Sequence, residues 1–441
     1  MKTAVSARTK DNFPEVVDAS PPTSGITRLL RWLLTPAVIL VLPIVVSAVA
    51  WGIPGESRRL RGFSERADLT FIGILTLLVW YALVVVTVLL GRAAGRTVQP
   101  INALSWDPRA DSREGRFYVL VTALSFIGVL TVLLGAGGFG GFIDALNATD
   151  ANSLKESTGG GAGLSTLRYT TAVAAPLGLH RLLMTRRGLA LAIVNIILLL
   201  LTAAVASRLA LLMAVVVFLF LVMVRPVSQR VRAGWIIVGA AAIFGLLTWL
   251  NYTRNARFYE NLGISDPISM SLYQALAYLG TPFQVSLGVA NAISFKGATF
   301  DRPPAESWLV VVPSFFRGDA PQGDGTGANR YGAFVDYHAS LTTNSAFADT
   351  LSTYGPAGLL ASLVTLFIAA CIFGHFAQYR NAMAVLPGVV LYGMAEYWRI
   401  LLFNQGIFVY LIIACVAVGV FVSATRVSTS RNGRTSTTGP S

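Results

Sequence analysis

Residues 188–224 read GLALAIVNIILLLLTAAVASRLALLMAVVVFLFLVMV. Two apolar runs, 188–206 and 208–224, meet at Arg208, while Arg186 and Arg187 on one flank and Arg225 on the other close the stretch. Each run has about the ~20 residues that a helix needs to cross the hydrocarbon core of a bilayer. The pattern predicts two helices that cross and return. Similar runs occupy 36–52, 69–91 and 233–250.

The rest of the chain agrees with lipid as its solvent. Of its 441 residues 54% are hydrophobic and 12% charged, more apolar surface than one soluble core absorbs. Spans marked by length and apolarity fall at 36–52, 69–91, 117–135, 166–184, 188–206, 208–224, 233–251, 348–374, 383–398 and 403–424. The expected fold is therefore all-α, a polytopic transmembrane helical bundle of about ten spans filling residues 28–425. Disordered cytoplasmic tails are expected at 1–27 and 426–441. The fourth span is the weakest, because Arg168, His180 and Arg181 interrupt it. Residues 1–27 lack a signal-peptide pattern, so the first span is expected to be a retained anchor. Cys371 and Cys415 sit inside spans, where a thiol behaves as a small hydrophobe.

The net charge of +13 is spread over short segments between apolar runs, which reads as a topology signal and not as a nucleic-acid surface. The N-terminal tail, residues 92–116, Arg181 with Arg186 and Arg187, Arg225 with Arg230 and Arg232, Arg380 and the C-terminal tail all fall on one side. That side is expected to be the cytoplasm, with both termini on it. One loop dissents: residues 53–68 carry Arg58, Arg59, Arg61 and Arg66 on the outside, partly balanced by Glu56, Glu65 and Asp68. Two outer segments are long, 136–165 and about 252–347. In the second, the moderately apolar stretch 268–292 is interrupted by Gly280-Thr281-Pro282, which suits a re-entrant or interfacial helix pair. There is no internal repeat, which weakens a transporter built on inverted halves.

No Walker-type phosphate loop, HExxH or CxxC pair is present, and no metal or cofactor site is expected. Arginines on the outer side stand out: Arg208 in the turn between the fifth and sixth spans, Arg254 and Arg257 after the seventh, and Arg399 after the ninth. Such positions suit bidentate bonding to a phosphate at headgroup depth, and the spacing of Arg254 and Arg257 puts both on one helical face. An arginine there also serves as an interfacial anchor to lipid phosphate. Acid and base candidates on the same side are Asp266, Asp336, His338, Asp349 and Glu396, the last able to pair with Arg399. Outer aromatic residues, Tyr259 and Tyr278 among them, offer faces for sugar rings; Trp51, Trp249 and Trp398 read instead as an interfacial belt.

The order of these features resembles the O-antigen polymerase family, also called oligosaccharide repeat unit polymerases, over most of residues 188–424. Carrying the resemblance are Ser207-Arg208-Leu209 between two spans, then Arg254, Arg257 and Tyr259, then Tyr278-Leu279-Gly280-Thr281-Pro282. After a long outer loop come Thr343-Asn344-Ser345-Ala346-Phe347 and Tyr354-Gly355 with Gly358. The resemblance implies a metal-independent glycosyltransferase in a bacterial plasma membrane, without cofactor, that moves a glycan from undecaprenyl pyrophosphate onto the next lipid-linked repeat unit. It implies pyrophosphate contacts at Arg208, Arg254, Arg257, Arg330 and Arg399 but fixes no catalytic base; His338 with Asp336 are the candidates for proton transfer, and Tyr259, Tyr278 and Asn344 those for glycan contacts. A flippase and a chain-length regulator are the partners it implies, beside membrane lipid. An O-antigen ligase, which differs in its acceptor, and a transporter or flippase of lipid-linked sugars are the competing readings.

Overall fold

A computed structural model describes residues 25–53, 62–106, 112–147, 163–205, 208–225, 263–296, 300–313 and 345–431, with positions 245, 248, 260, 261, 316, 335 and 336. Among them the fold is all-helical, without strands: α1 Gly25–Leu33, α2 Pro36–Gly52, α3 Phe71–Thr97, α4 Ser112–Gly135, α5 Gly138–Asn147, α6 Thr171–Thr185, α7 Leu189–Val205, α8 Arg208–Val224, α9 Pro267–Lys296, α10 Ala346–Phe376, α11 Val385–Glu396 and α12 Gly406–Arg431. Four helices are long and apolar enough to cross a membrane: Phe71–Thr97, Ser112–Gly135, Ala346–Phe376 and Gly406–Thr425. Pro36–Gly52, Leu189–Val205, Leu209–Val224 and Ala382–Glu396 are shorter apolar helices. Leu78, Leu90, Leu134 and Leu360 are each at least 60% exposed on these helices, and apolar flanks of that extent call for lipid.

Several expected boundaries move. The run 233–251 lies outside the described residues, apart from positions 245 and 248. The weak fourth span starts as a 3-10 turn, Leu164–Thr170, before α6. Every α6 residue from Thr171 to Gly178 is buried, so its low apolarity reflects a place among helices and not against lipid. Helix α12 continues to Arg431, into the segment read as a tail, since no glycine or proline intervenes to stop it.

Segments rich in arginine meet at one end of the bundle, around a single carboxylate. Glu114 Oε1 accepts from Arg225 Nη1 at 2.7 Å, and both side chains are less than 10% exposed. Its Oε2 accepts from Trp106 Nε1 at 3.1 Å and from the Ala382 amide at 2.9 Å. The Arg225 carbonyl bonds His180 Nε2 (3.0 Å), and Arg380 donates to the Val224 carbonyl (3.1 Å). Gln378 reaches the Val98 carbonyl and Ser423 reaches that of Ala103. The described residues of 98–116 (98–106 and 112–116), with 180, 224–225, 378–382 and 423, therefore share this basic end.

Helices α3 and α10 run the same way and touch backbone to backbone. A Cβ on Gly95 would collide with the Cys371 carbonyl, and one on Gly91 would press on Phe367; Gly374 in turn faces the Arg92 carbonyl. Gly91 and Gly95 form the small-xxx-small spacing that lets helices approach where no hydrophobic effect drives them together.

Helix α10 is two helices joined at Gly355, whose φ of 66° and ψ of −158° are open to glycine alone. Pro356 has no N–H to return to the Ser352 carbonyl. Asp301 N instead donates to Ser352 O (3.2 Å) and Arg302 N to Thr353 O (2.8 Å), so a neighbouring loop closes the broken turn. The expected helix pair across Gly280-Thr281-Pro282 is one continuous helix, α9. Hydroxyls explain why: Thr281 Oγ1 donates to Ala277 O, Ser286 Oγ to Pro282 O, and Ser47 of α2 to Leu279 O, which satisfies carbonyls around the proline. At its start Asp266 Oδ1 accepts from Ser269 N (2.7 Å), which holds that carboxyl below its usual range. A depressed carboxyl stabilises above its unfolded pKa, so this cap loosens as pH falls through the folded value.

Two stability measurements test these joints. Glu114→Ala leaves Arg225 buried and unpaired and is expected to lower the unfolding free energy by roughly 3–5 kcal/mol in a denaturant titration of the micelle-embedded protein. Gly355→Ala places a side chain at a glycine-only torsion and against the Phe300 ring, with an expected loss of about 1–3 kcal/mol on the same titration.

Candidate functional site

The opposite end of the bundle is built around α9, whose residues 279–291 lie across the ends of α2 and α3. Leu279 is level with Ser47, Gly280 lies against the Trp51 backbone, and Asn291 bonds Asp68 O and Thr70 Oγ1. Thr70 in turn caps α3 by accepting from Gly73 N (3.0 Å).

Gln284 is the joint. Its Oε1 accepts from Trp51 Nε1 (2.5 Å) and Ala67 N (3.0 Å), and its Nε2 donates to Glu65 O (2.7 Å) and Asp336 O (3.1 Å). All four hydrogen-bonding positions of a buried amide are thereby filled, as burial demands.

Asp336, expected to assist proton transfer, is drawn into the same frame. Its Oδ2 accepts from Ser64 N (2.7 Å), Ser64 Oγ (2.5 Å) and Glu65 N (3.0 Å). One carboxylate oxygen with three donors is committed to fixing the loop. Arg66, part of the dissenting loop, donates to the Gly52 and Ile53 carbonyls at 3.0 and 3.1 Å and lies over the Trp51 ring. It closes the C-terminus of α2, where a cation also meets the negative end of the helix dipole. That local role outweighs the charge rule the loop breaks; Arg58, Arg59 and Arg61 lie outside the described residues.

The second feature is an ion pair below this surface. Arg399 Nη2 lies 2.7 Å and its Nε 2.9 Å from Glu396 Oε2, while Tyr392 donates to Oε1 at 2.8 Å. Helix α11 and the turn before it rise from Ala382, tied to Glu114, to Glu396, about 21 Å away at the helical rise. The pair is recessed among the helices there, with Glu396 buried and Arg399 keeping 26% of its side chain exposed. Tyr278 is within electrostatic range of Arg399, and Trp398 shares a small cavity with Pro282, Phe283 and Ser286, which places α9 near the α11–α12 turn. Ser47 and Tyr81 line that interior cavity too, which gives Trp398 a place inside the bundle beyond the belt expected of it.

Of the expected site residues the structure puts Tyr278 within electrostatic range of Arg399 and gives Asp336 its place in the loop frame. Arg208 starts α8, and Arg254, Arg257, Tyr259, Arg330, His338 and Asn344 lie outside the described residues. Sequence reasoning passed over Arg168. It sits beside Gly128 of α4, stacks on Tyr169 at 5.1 Å, and keeps a buried Nε without a partner. Its signal was there: it is the charge that interrupts the fourth apolar run. Among the described residues no cluster of His, Cys, Asp or Glu could hold a metal ion.

No protein-family model, curated protein or solved structure matches the chain.

Asp336→Ala is expected to release residues 62–67 without disturbing the bundle. Tryptic cleavage at the arginines between 58 and 66 should then quicken several-fold at an unchanged denaturation midpoint.

Proposed function

We propose that the chain is a membrane-embedded glycosyltransferase that polymerises undecaprenyl-pyrophosphate-linked oligosaccharide repeat units into a surface polysaccharide. In this reading ten spans cross a bacterial plasma membrane, both termini are cytoplasmic, and the work is done on the extracytoplasmic face. The observation that supports it best is the recessed Glu396–Arg399 pair, with Tyr278 in electrostatic range, at the end of the bundle opposite the basic one. A charge pair recessed among helices has a solvation cost that a function must offset, and a guanidinium there suits a diphosphate carried on lipid. The ordered resemblance of residues 188–424 to oligosaccharide repeat unit polymerases supplies the reaction.

The acceptor hydroxyl attacks the anomeric carbon of the donor glycan. The bond from that carbon to the carrier pyrophosphate breaks, its electron pair leaves with the pyrophosphate, and the hydroxyl proton passes to a base. Arg399, with Arg208, Arg254, Arg257 and Arg330, offsets the charge that gathers on the leaving group, which lets the reaction run without a metal. Arg399 exchanges Glu396 for the phosphate, and the carboxylate it releases is then free to take the proton; His338 is the other base within this reading. Asp336 acts as a positioning residue through the loop it holds, and Tyr259, Tyr278 and Asn344 bind glycan. A flippase delivers the substrate and a chain-length regulator sets the product size.

Purified protein with a defined lipid-linked oligosaccharide tests this. Arg254→Ala, Arg257→Ala and Arg399→Ala are each expected to cut the rate of chain lengthening about 100-fold or more with normal membrane insertion. Glu396→Gln and His338→Gln separate the two bases. Normal glycan ladders in both Arg254→Ala and Arg257→Ala overturn the reading. Transfer of one glycan to a different acceptor, with no ladder, identifies a ligase instead.

A further inference from the structure

A cavity of about 940 Å³ opens at the basic end, far from the recessed ion pair, between α4, α6, α7 and α12. Arg116, Arg181 and Arg187 line its mouth, while Val119, Leu191 and Phe421 line its wall. Among the described residues no carboxylate pairs with any of the three arginines.

Arg181 is held in place and left unsatisfied. Its guanidinium lies 5.4 Å from the centre of the Tyr118 ring. Gly115 lies beside it, where a Cβ would stand in ordinary contact 3.7 Å from Nη2. Tyr118 is itself fixed by Asn195, which donates to its hydroxyl at 3.0 Å. Yet Arg181 Nη1 is buried without a hydrogen-bond partner. A buried guanidinium donor without an acceptor is costly, and an anion at the mouth would relieve it.

Loop charge alone explains arginines at this end but not a cavity that three of them share with apolar residues, one donor among them buried and unpaired. The wall says which anion fits. Val119 and Phe421 are both more than half exposed, so the cavity gives onto the lipid-facing flank of the bundle. We infer that it seats an acidic phospholipid, its phosphate on Arg181 with Arg116 and Arg187 at the rim, and an acyl chain along Val119, Leu191 and Phe421. Basic pockets between membrane helices favour such headgroups through charge, and the apolar wall adds chain burial. Under the proposed orientation this is an inner-leaflet lipid, but the chemistry holds whichever reaction the other end performs.

Native mass spectrometry of the full chain decides the matter, with phosphatidylglycerol, phosphatidylcholine and inorganic phosphate as probes. Phosphatidylglycerol is expected to bind at least tenfold tighter than phosphatidylcholine, and Arg181→Gln to remove most of that preference while Arg181→Lys restores part of it. Should Arg181→Gln fail to fold, Arg187→Gln at the exposed rim is expected to weaken phosphatidylglycerol severalfold, and Leu191→Trp to block it from the apolar side. Equal binding of the two lipids overturns the inference, as does unchanged phosphatidylglycerol binding in the folded variants. Inorganic phosphate competing at equal concentration would mark a site for free anions and would overturn it too.

Discussion

The carboxylate of Glu114 meets an arginine, an indole and a backbone amide from three other parts of the chain, and the basic end of the bundle is organised around that meeting. The partners explain why one acid belongs among so many arginines. Taking a charge out of water is costly unless it is paired and its remaining lone pairs are filled, and here both conditions hold. Arg225 then passes the connection on through its carbonyl to His180. Five segments that are distant in sequence are set at one height, and the helices that rise from them inherit it.

From that base the two ends diverge in character. The basic end is joined by side chains that reach across loops. The other end is joined by a helix laid over two others, with Gln284 using every donor and acceptor it has. Between them the breaks in helices are repaired locally. Loop amides of Asp301 and Arg302 serve the carbonyls at Gly355, and hydroxyls of Ser47, Thr281 and Ser286 serve those around Pro282. Such repairs are what permits glycine and proline inside a structure that lipid surrounds.

Some of this was legible in the sequence. The limits of α2 and α8 could be read directly, since charge or a turn borders each apolar run. The grouping of arginine segments at one end was legible from loop charge. The continuity of α9 was not, because a glycine-threonine-proline triplet signals a break and the hydroxyls that mend it include one from another helix. Nor was the tie of Asp336 to Ser64, since nothing local links residues so far apart. Arg66 looked anomalous because the orientation rule sums charges and takes no account of a helix end that needs a donor. Arg399 and Glu396 were legible as neighbours; that the carboxylate is buried among the helices, with Tyr392 on its second oxygen, became visible only in the fold.

The glycine contact of α3 with α10 bears on biogenesis. Gly91 and Gly95 leave the ribosome some 280 residues before Cys371 and Gly374, and pairing so distant in sequence is slow to form (~ms to s in small soluble domains). Until α10 arrives, the notch in α3 has only lipid to fill it. The nascent chain must therefore hold an early helix with an unfilled groove through most of its insertion, and closing that groove is a late event of assembly.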